Sequence, residues 1–471
     1  MSGDYKIQKL NCMKIFYKKF TIIFLLIFLV FAGFGCRGLS SKEKAVVKRV
    51  TLNYWTVYDD VEQLRKFATD YKMIRSHVTV NIKQVREDQF EQLFINALAD
   101  DVAPDIVSIH VRDMNKYLTK LSPMPKGFTV PSLITTGKYF KETKIIQNSF
   151  ALPTADFVKN NFVQTVYDDV VREGKIYGIP LAMDTLAVYY NQDLLDQAGV
   201  ATAPTTWDEF MEAVKKSTKF DKDGNITQAG VALGTSQNIK RSFDILSVLM
   251  MQSGVTMAQD KYVTFANGVK KFDTTYPVFK VLQFYTDFAN KNKEVYTWNN
   301  TLEDSLNYFT KGKSVFYFGF AYDYNTIRAR APQMNLKVIS LPQLNPESPI
   351  NIANYWLQAV VKKSKHQNEA WDFINFIIAQ DRIKEYTKKT GYPTPLRIQI
   401  AEQKEDPILA PFVEYVLQAK NWYYGSDKNI AEEAINNLIS NYLLPTPEGL
   451  KENEWKINIL NSAARQVQQS M

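Results

Sequence analysis

The chain has 471 residues, of which 45% are hydrophobic and 23% charged, and carries a net charge of +8; it exceeds one comfortable core, so two globular lobes are expected. Lys6, Lys9, Lys14, Lys18 and Lys19 against Asp4 put half of that charge in the first 35 residues, and no dense Lys/Arg stripe, RNP-like aromatic run or zinc-finger spacing follows, which argues against nucleic acid as a partner. The cysteines are Cys12 and Cys36 and the histidines His77, His110 and His366, so neither a disulfide framework nor a zinc-binding spacing is present.

In chain order, Lys14, Lys18 and Lys19 precede the apolar run Ile22–Ala32; Gly33-Phe34-Gly35-Cys36 follows, and a polar stretch begins at Arg37. A basic region, a short apolar region and small residues at a boundary describe a secretory signal. The run is shorter than the ~20 residues a spanning helix needs. Residues 1–35 are therefore read as a signal peptide, with Met13 as a second candidate start. The cysteine after Gly35 resembles the lipobox of bacterial lipoproteins, which implies a diacylglycerol on the Cys36 thiol and residues 36–48 as a flexible tether. Gly33 and Phe34 depart from the aliphatic and small residues usual three and two places before the cysteine. The alternative is an uncleaved N-terminal anchor helix; in both readings the body lies outside.

From Arg49 strands and helices alternate. Val50 to Trp55 reads as a strand, and Asp59 and Asp60 can cap a helix whose apolar face is Val61, Leu64, Phe67, Ala68 and Tyr71. Val78 to Val85 alternates like a strand, Phe90 to Leu98 marks a helix, and Asp105 to Ile109 a short buried strand. This run predicts a largely parallel sheet with helices on its faces. Ligands of such sheets sit beyond the carboxyl ends of the strands, which directs attention to the segments after Trp55 and Ile109. Further on, Thr206 and Glu209 form a capping box ahead of Phe210 and Val214. Asp221-Lys222-Asp223-Gly224-Asn225 reads as a hairpin turn, because Ile226 and Ala232 stand where a calcium loop needs Gly and Glu. The last third, from Glu369, is predominantly helical.

The segment from Tyr177-Gly178-Ile179-Pro180 through Val188-Tyr189-Tyr190-Asn191, with Ala198-Gly199 and Pro204-Thr205-Thr206-Trp207-Asp208-Glu209-Phe210, resembles the signature of the bacterial extracellular solute-binding proteins of ABC importers. That large family is typified by maltose- and other sugar-binding lipoproteins. Ala103-Pro104-Asp105-Ile106-Val107, Gly312-Lys313-Ser314-Val315-Phe316 with Gly319, Ser364-Lys365 with Glu369 to Ile374, and Gly391-Tyr392-Pro393-Thr394-Pro395 are similar to further family segments in the same order. The stretch 121–170 has no counterpart.

The resemblance implies an α/β, two-lobed periplasmic-binding-protein type II fold with three hinge crossings and a ligand cleft between the lobes. The crossings are expected near Leu181–Thr185, Leu341–Leu344 and Ile398–Glu405. The N-lobe then takes 49–183 and 343–397, and the C-lobe 186–340 and 400–471. A sugar offers ring faces to aromatic side chains and hydroxyls to carboxylates, amides and Arg. At the expected strand ends and crossings the candidate contacts are Trp55, Tyr58, Asp59, His110, Arg112, Asp184, Tyr322, Tyr324, Trp356 and Trp422, with Arg241 as a subsidiary one. Each has a structural alternative: Asp59 as a helix cap, Asp184 as a hinge hydrogen bond, the aromatics as core. Tyr189 and Tyr190 read as core.

The expected function is a lipid-anchored monomer on the outer face of the cell membrane, delivering a sugar or oligosaccharide to ABC permease subunits, with no cofactor and no metal. Alternatives are another small solute, such as a glycerol-phosphate ester or a polyamine, and a surface adhesion or scaffold protein. No catalytic residue is assigned. Adjacent carboxylates such as Asp59-Asp60 and Asp168-Asp169 do not present the facing pair that glycoside hydrolysis needs, and GxSxG, P-loop and GxGxxG patterns are missing.

Overall fold

The computed structural model describes residues 49–136, 142–269 and 273–471; the signal peptide, Cys36 and the tether 36–48 lie outside them. Among the described residues no helix is long and apolar enough to cross a membrane.

The first lobe is built on a sheet in the order Val78–Gln84, Val50–Thr56, Ile106–His110, Trp356–Val361, Leu121–Ser122, with Ile179–Pro180 also on Trp356–Val361. Val50–Thr56 alternates buried and exposed positions, and helices cover its inner face. Ile106–His110 is buried throughout, as a strand covered on both faces must be. These two strands are parallel. The sheet is mixed, however, because Trp356–Val361 returns from far along the chain and runs antiparallel to Ile106–His110. Asp105 locks the frame: its carboxylate accepts from the Asn53 backbone N–H (2.8 Å) and from Ser364 Oγ, joining two of the family-like segments. The helix Val61–Ile74 is capped by Asp60, which accepts from the Gln63 N–H. Its inner face buries Leu64, Phe67 and Tyr71, and Tyr71 and Arg75 both hydrogen-bond Asp372 of the helix Gln367–Ile377.

The second lobe carries a sheet in the order Lys219–Phe220, Ile226–Val231, Ser314–Gly319, Ala187–Asn191, Leu336–Ser340. The expected hairpin joins the first two strands, closed by Asp221 accepting from the Asp223 and Asn225 N–H groups. The helix Trp207–Ser217 begins with the reciprocal Thr206/Glu209 capping box. Every residue from Ser242 to Met251 of the helix Ser242–Gln252 is buried, which marks it as the central helix of this lobe. Tyr189 and Tyr190 are core.

The chain passes between the two sheets three times, through Asp184–Thr185, Asn351–Asn354 and Ala419–Lys420, which form one three-stranded sheet. The loop before the second passage stays with the second lobe: Gln252 Nε2 donates to the Pro342 and Ile350 carbonyls. Ahead of the third, Phe412 of Ala410–Val413 packs on Tyr189. The stretch 121–170 contains the paired strands Gly127–Thr136 and Glu142–Ala151, of which 129–136 and 142–150 belong to a separate compact unit, and then the helices Ala155–Asn161 and Gln164–Val170.

Gly319 ends its strand under tight packing. A Cβ there would lie 2.6 Å from Tyr317 Cε1, 2.8 Å from Asp323 Oδ2 and 3.0 Å from Tyr189 Cε2. Gly319→Ala is expected to lower stability by roughly 1–3 kcal/mol through overpacking. Urea unfolding checks this, and an unchanged midpoint would count against it.

Candidate functional site

A cavity of about 300 Å³ is lined by groups that follow strand ends of both lobes. The first lobe supplies Tyr58 and Asp59 after Val50–Thr56, His110 and Arg112 at the end of Ile106–His110, and Trp356. The second supplies Arg241, Phe243 and Asp244 where the buried helix begins, Tyr322 after Ser314–Gly319, and Lys428 and Glu432 from the start of the helix Lys428–Tyr442. Asp184 and Asn354 come from the hinge strands.

Of the residues singled out in the sequence, Tyr58, Asp59, His110, Arg112, Asp184, Tyr322, Trp356 and the subsidiary Arg241 meet at this cavity. Trp55, Tyr324 and Trp422 do not line it. The pleat puts Trp55 on the face opposite buried Tyr54, under the Lys83 ammonium, 4.6 Å from the ring centroid. Tyr324 lies two residues past Tyr322, packs beside the Tyr189 and Phe412 cluster and lines a different hollow. Trp422 is core, stacked behind Phe243 with ring centroids 5.6 Å apart, so it supports a cavity residue without reaching the cavity.

One wall is aromatic. The Tyr58 ring lies 5.2 Å from Trp356 and 6.0 Å from Tyr322, and His110 meets Trp356 edge-on at 5.4 Å. Because Asp60 takes the capping role, Asp59 is left for the cavity side. Asp59 accepts from Thr56 Oγ1 (2.7 Å) and Gln358 Nε2 (3.2 Å), and Gln358 in turn accepts from Tyr54. His110 Nδ1 accepts from the Arg112 backbone N–H (3.3 Å), which assigns the ring proton to Nε2, donating to Asn354 Oδ1 (2.8 Å).

Charges line the cavity in pairs that join the two lobes. The Arg112 guanidinium is buried, lies over the Phe243 ring at 4.7 Å, and pairs with Asp244 and with Glu432 (3.0 Å). Lys428 answers in the other direction, pairing with Asp113 (3.0 Å) and Glu87 (3.6 Å). Asp184 accepts from the N–H groups of Thr185 and Tyr322 (3.3 Å); burial pushes its carboxyl well above the usual carboxylate range, while backbone hydrogen bonds act in the opposite direction.

Arg241 differs from the other cations. Its guanidinium sits over the Phe320 and Tyr322 rings at 5.0 and 5.2 Å, with Asp323 at 3.9 Å, beyond hydrogen-bond distance. Its Nε and Nη2 are buried with no hydrogen-bond partner. Leaving such donors unpaired costs roughly 1–3 kcal/mol each, a cost that a ligand bringing acceptor oxygens removes.

Asp244, Lys428, Glu432 and the tyrosines Tyr386 and Tyr392 also line the cavity and were not read from the sequence. For Asp244 a signal existed: it is the one charged residue within the largely apolar helix Ser242–Gln252, which Lys240 and Arg241 precede. Lys428 and Glu432 gave none, since a polar helical turn far from the other site residues looks like any solvated face. Among the described residues no group of three or more His, Cys, Asp or Glu could hold a metal ion. The arrangement suits a neutral, hydroxyl-rich solute: apolar faces beside a ring of donors and acceptors whose charges nearly cancel.

Residues 88–411 match the family model described as bacterial extracellular solute-binding protein. The multiple sugar-binding protein of Streptococcus mutans serotype c is 22% identical over 402 residues, covering 84% of this chain and 86% of that one. The lactose-binding protein of Rhizobium radiobacter is 24% identical over 428 residues, covering 86% and 91%. Among solved structures, a cyclo/maltodextrin-binding protein complexed with maltotetraose superposes with a TM-score of 0.65 at 16% identity, over 89% of this chain and 96% of that one. An ABC transporter solute-binding protein from Thermotoga lettingae bound with alpha-D-tagatose gives 0.63 at 18%, over 89% and 99%. These likenesses establish the two-lobed fold.

Burial pushes the His110 imidazole well below its ordinary value of 6.5, and Lys428 and Arg112 act in the same direction. A lowered pKa in the folded chain means that the unfolded chain takes up the proton first, so the associated stability is present above pH 6.5 and is lost as pH falls below it, by about 1.4 kcal/mol per unit of pKa difference. NMR titration of the ring is expected to show it neutral at pH 6, and a midpoint at or above 6.5 would contradict this.

Proposed function

The chain belongs to the bacterial extracellular solute-binding proteins, an extracytoplasmic family of binding proteins, and on that premise we propose that it captures a carbohydrate between its lobes and presents it, as a monomer, to the permease subunits of an ABC importer, without transforming it. The division read from the sequence, 49–183 with 343–397 against 186–340 with 400–471, belongs to this proposal with its second and third boundaries, expected near Leu341–Leu344 and Ile398–Glu405, moved to the hinge strands Asn351–Asn354 and Ala419–Lys420, as does rotation about the three hinge strands. The observation that carries it is the pairing of the Tyr58, Trp356 and Tyr322 wall with the buried, unpartnered Nε and Nη2 of Arg241. Ring faces and hydroxyl oxygens together satisfy both features. The sugar-binding names of the relatives support the same reading. Balanced charge favours a neutral ligand over a glycerol-phosphate ester or a polyamine.

A thermal-shift screen of the soluble body against neutral mono- and oligosaccharides, glycerol phosphates and polyamines tests this. A sugar at a hundredfold excess over its Kd is expected to add about 2.7 kcal/mol of apparent stability. A shift with a charged solute and with no sugar would overturn the ligand class. Trp356 is only partly buried, so Trp356→Ala is expected to keep the fold and weaken sugar binding by about tenfold, ~1.4 kcal/mol; unchanged affinity would remove the aromatic wall from the site.

We further propose that Cys36 carries a lipid that holds the protein at the outer face of the membrane. Supporting it are the basic residues, the short apolar run and the cysteine at its boundary. Intact-mass measurement of membrane-extracted protein is expected to begin at a diacylated Cys36. A mass beginning at Met1 or Met13 without lipid would favour the uncleaved anchor.

A further inference from the structure

The charged pairs around the cavity do more than neutralise one another. Arg112, Asp113 and Glu87 come from the first lobe, and Asp244, Glu432 and Lys428 from the second. Each ion pair that Arg112 and Lys428 make therefore bridges the cleft. Arg112, Glu87, Asp244, Lys428 and Glu432 also line the cavity itself. Tyr58 reinforces the closure, donating to Glu87 (2.8 Å) while its ring leans on Tyr322 of the other lobe. The cavity they help to line is small: about 300 Å³, at the floor of the ~300–1,000 Å³ usual for small-molecule sites.

We propose that these two inter-lobe ties, Arg112 with Asp244 and Glu432 and Lys428 with Asp113 and Glu87, limit the ligand to a short saccharide of about one or two rings. A chain longer than the cavity presses on the residues that line it, among them Arg112, Asp244, Glu432, Lys428 and Glu87. The Arg112 guanidinium and the Asp244 carboxylate are both buried, so separation strands charges away from water as well as from their partners, which is a strong penalty. Neutral hydroxyls of a third or fourth sugar ring do not replace the lost partner. Length selection thus follows from the closed geometry, while the choice among short sugars falls to the aromatic wall and Arg241.

The inference rests on the carbohydrate reading, and the test separates the two. Calorimetry is run on the full soluble body with three homologous series: glucose, maltose, maltotriose and maltotetraose; mannose and its β-1,4-linked di-, tri- and tetrasaccharides; galactose and its corresponding oligomers. The mono- or disaccharide of the preferred series is expected to bind at least about tenfold more tightly than its tetrasaccharide. Glu432→Ala, which leaves the Arg112–Asp244 pair in place, and Lys428→Met are each expected to narrow that ratio severalfold. A tetrasaccharide bound as tightly as its disaccharide, or a ratio unmoved by both variants, overturns the length limit and leaves the carbohydrate reading standing. Failure of every sugar to bind removes the carbohydrate reading itself.

Discussion

The segment 351–361 is the constraint on which the site depends. Its first strand, Asn351–Asn354, pairs in the hinge with Asp184–Thr185 and with Ala419–Lys420; its second, Trp356–Val361, lies against Ile106–His110 in the first sheet. With Leu121–Ser122 and Ile179–Pro180 also on the second strand, one short stretch holds five distant parts of the chain in register. That register places Trp356 opposite His110, puts Gln358 within reach of Tyr54 and Asp59, and sets Asn354 to receive the His110 proton. Because side chains alternate across a strand, a slip of one residue would turn Trp356 and Gln358 to the wrong face. Residues of the first lobe thus reach the cavity as a consequence of one pairing.

Electrostatics decides how the two lobes meet. Buried charges are costly alone and tolerable in pairs, and here Arg112 and Lys428 find their partners across the cleft. The result is a site rich in ionisable groups with little net field, where an ionic ligand would find most charges already answered. Two groups stand apart from this cancellation. Asp184 has its pKa pushed up by burial, and Arg241 keeps an unpartnered edge while Asp323 balances its charge at a distance. Gly319 allows that distance, since a side chain there would press on the Asp323 carboxylate.

Much of the fold was legible in the residues. The capping box at Thr206, the hairpin at Asp221, the buried strand after Pro104 and the alternation of Val50–Thr56 are local effects, set by side chains within a few positions of one another. The mixed character of the first sheet was not, because the antiparallel strand that makes it so lies some 250 residues downstream of its neighbour. Strand-end reasoning, with the family resemblance for Asp184 and Tyr322, pointed to Tyr58, Asp59, His110, Arg112, Asp184, Tyr322 and Trp356, which line the cavity, since a strand end locates its residues at the rim of the sheet. It placed Trp55, Tyr324 and Trp422 there too. For those three the outcome turned on which way a pleat or a helical turn faced, and periodicity near an element's end is too short to decide that.

The sequence by itself determined an α/β chain long enough for two lobes, because hydrophobic period, caps and turns are written in neighbouring residues, while the two-lobed arrangement and several candidate contacts were implied by its resemblance to family segments. The basic and apolar run before Cys36, read as an export signal in the proposal, is likewise a local feature. The tertiary structure alone decided that Arg112 and Lys428 find their charges on the opposite lobe, that Trp422 backs Phe243 rather than facing a ligand, and that the cleft encloses so small a volume. Those facts arise between residues hundreds of positions apart, where no local preference acts and only the packed chain brings the partners together.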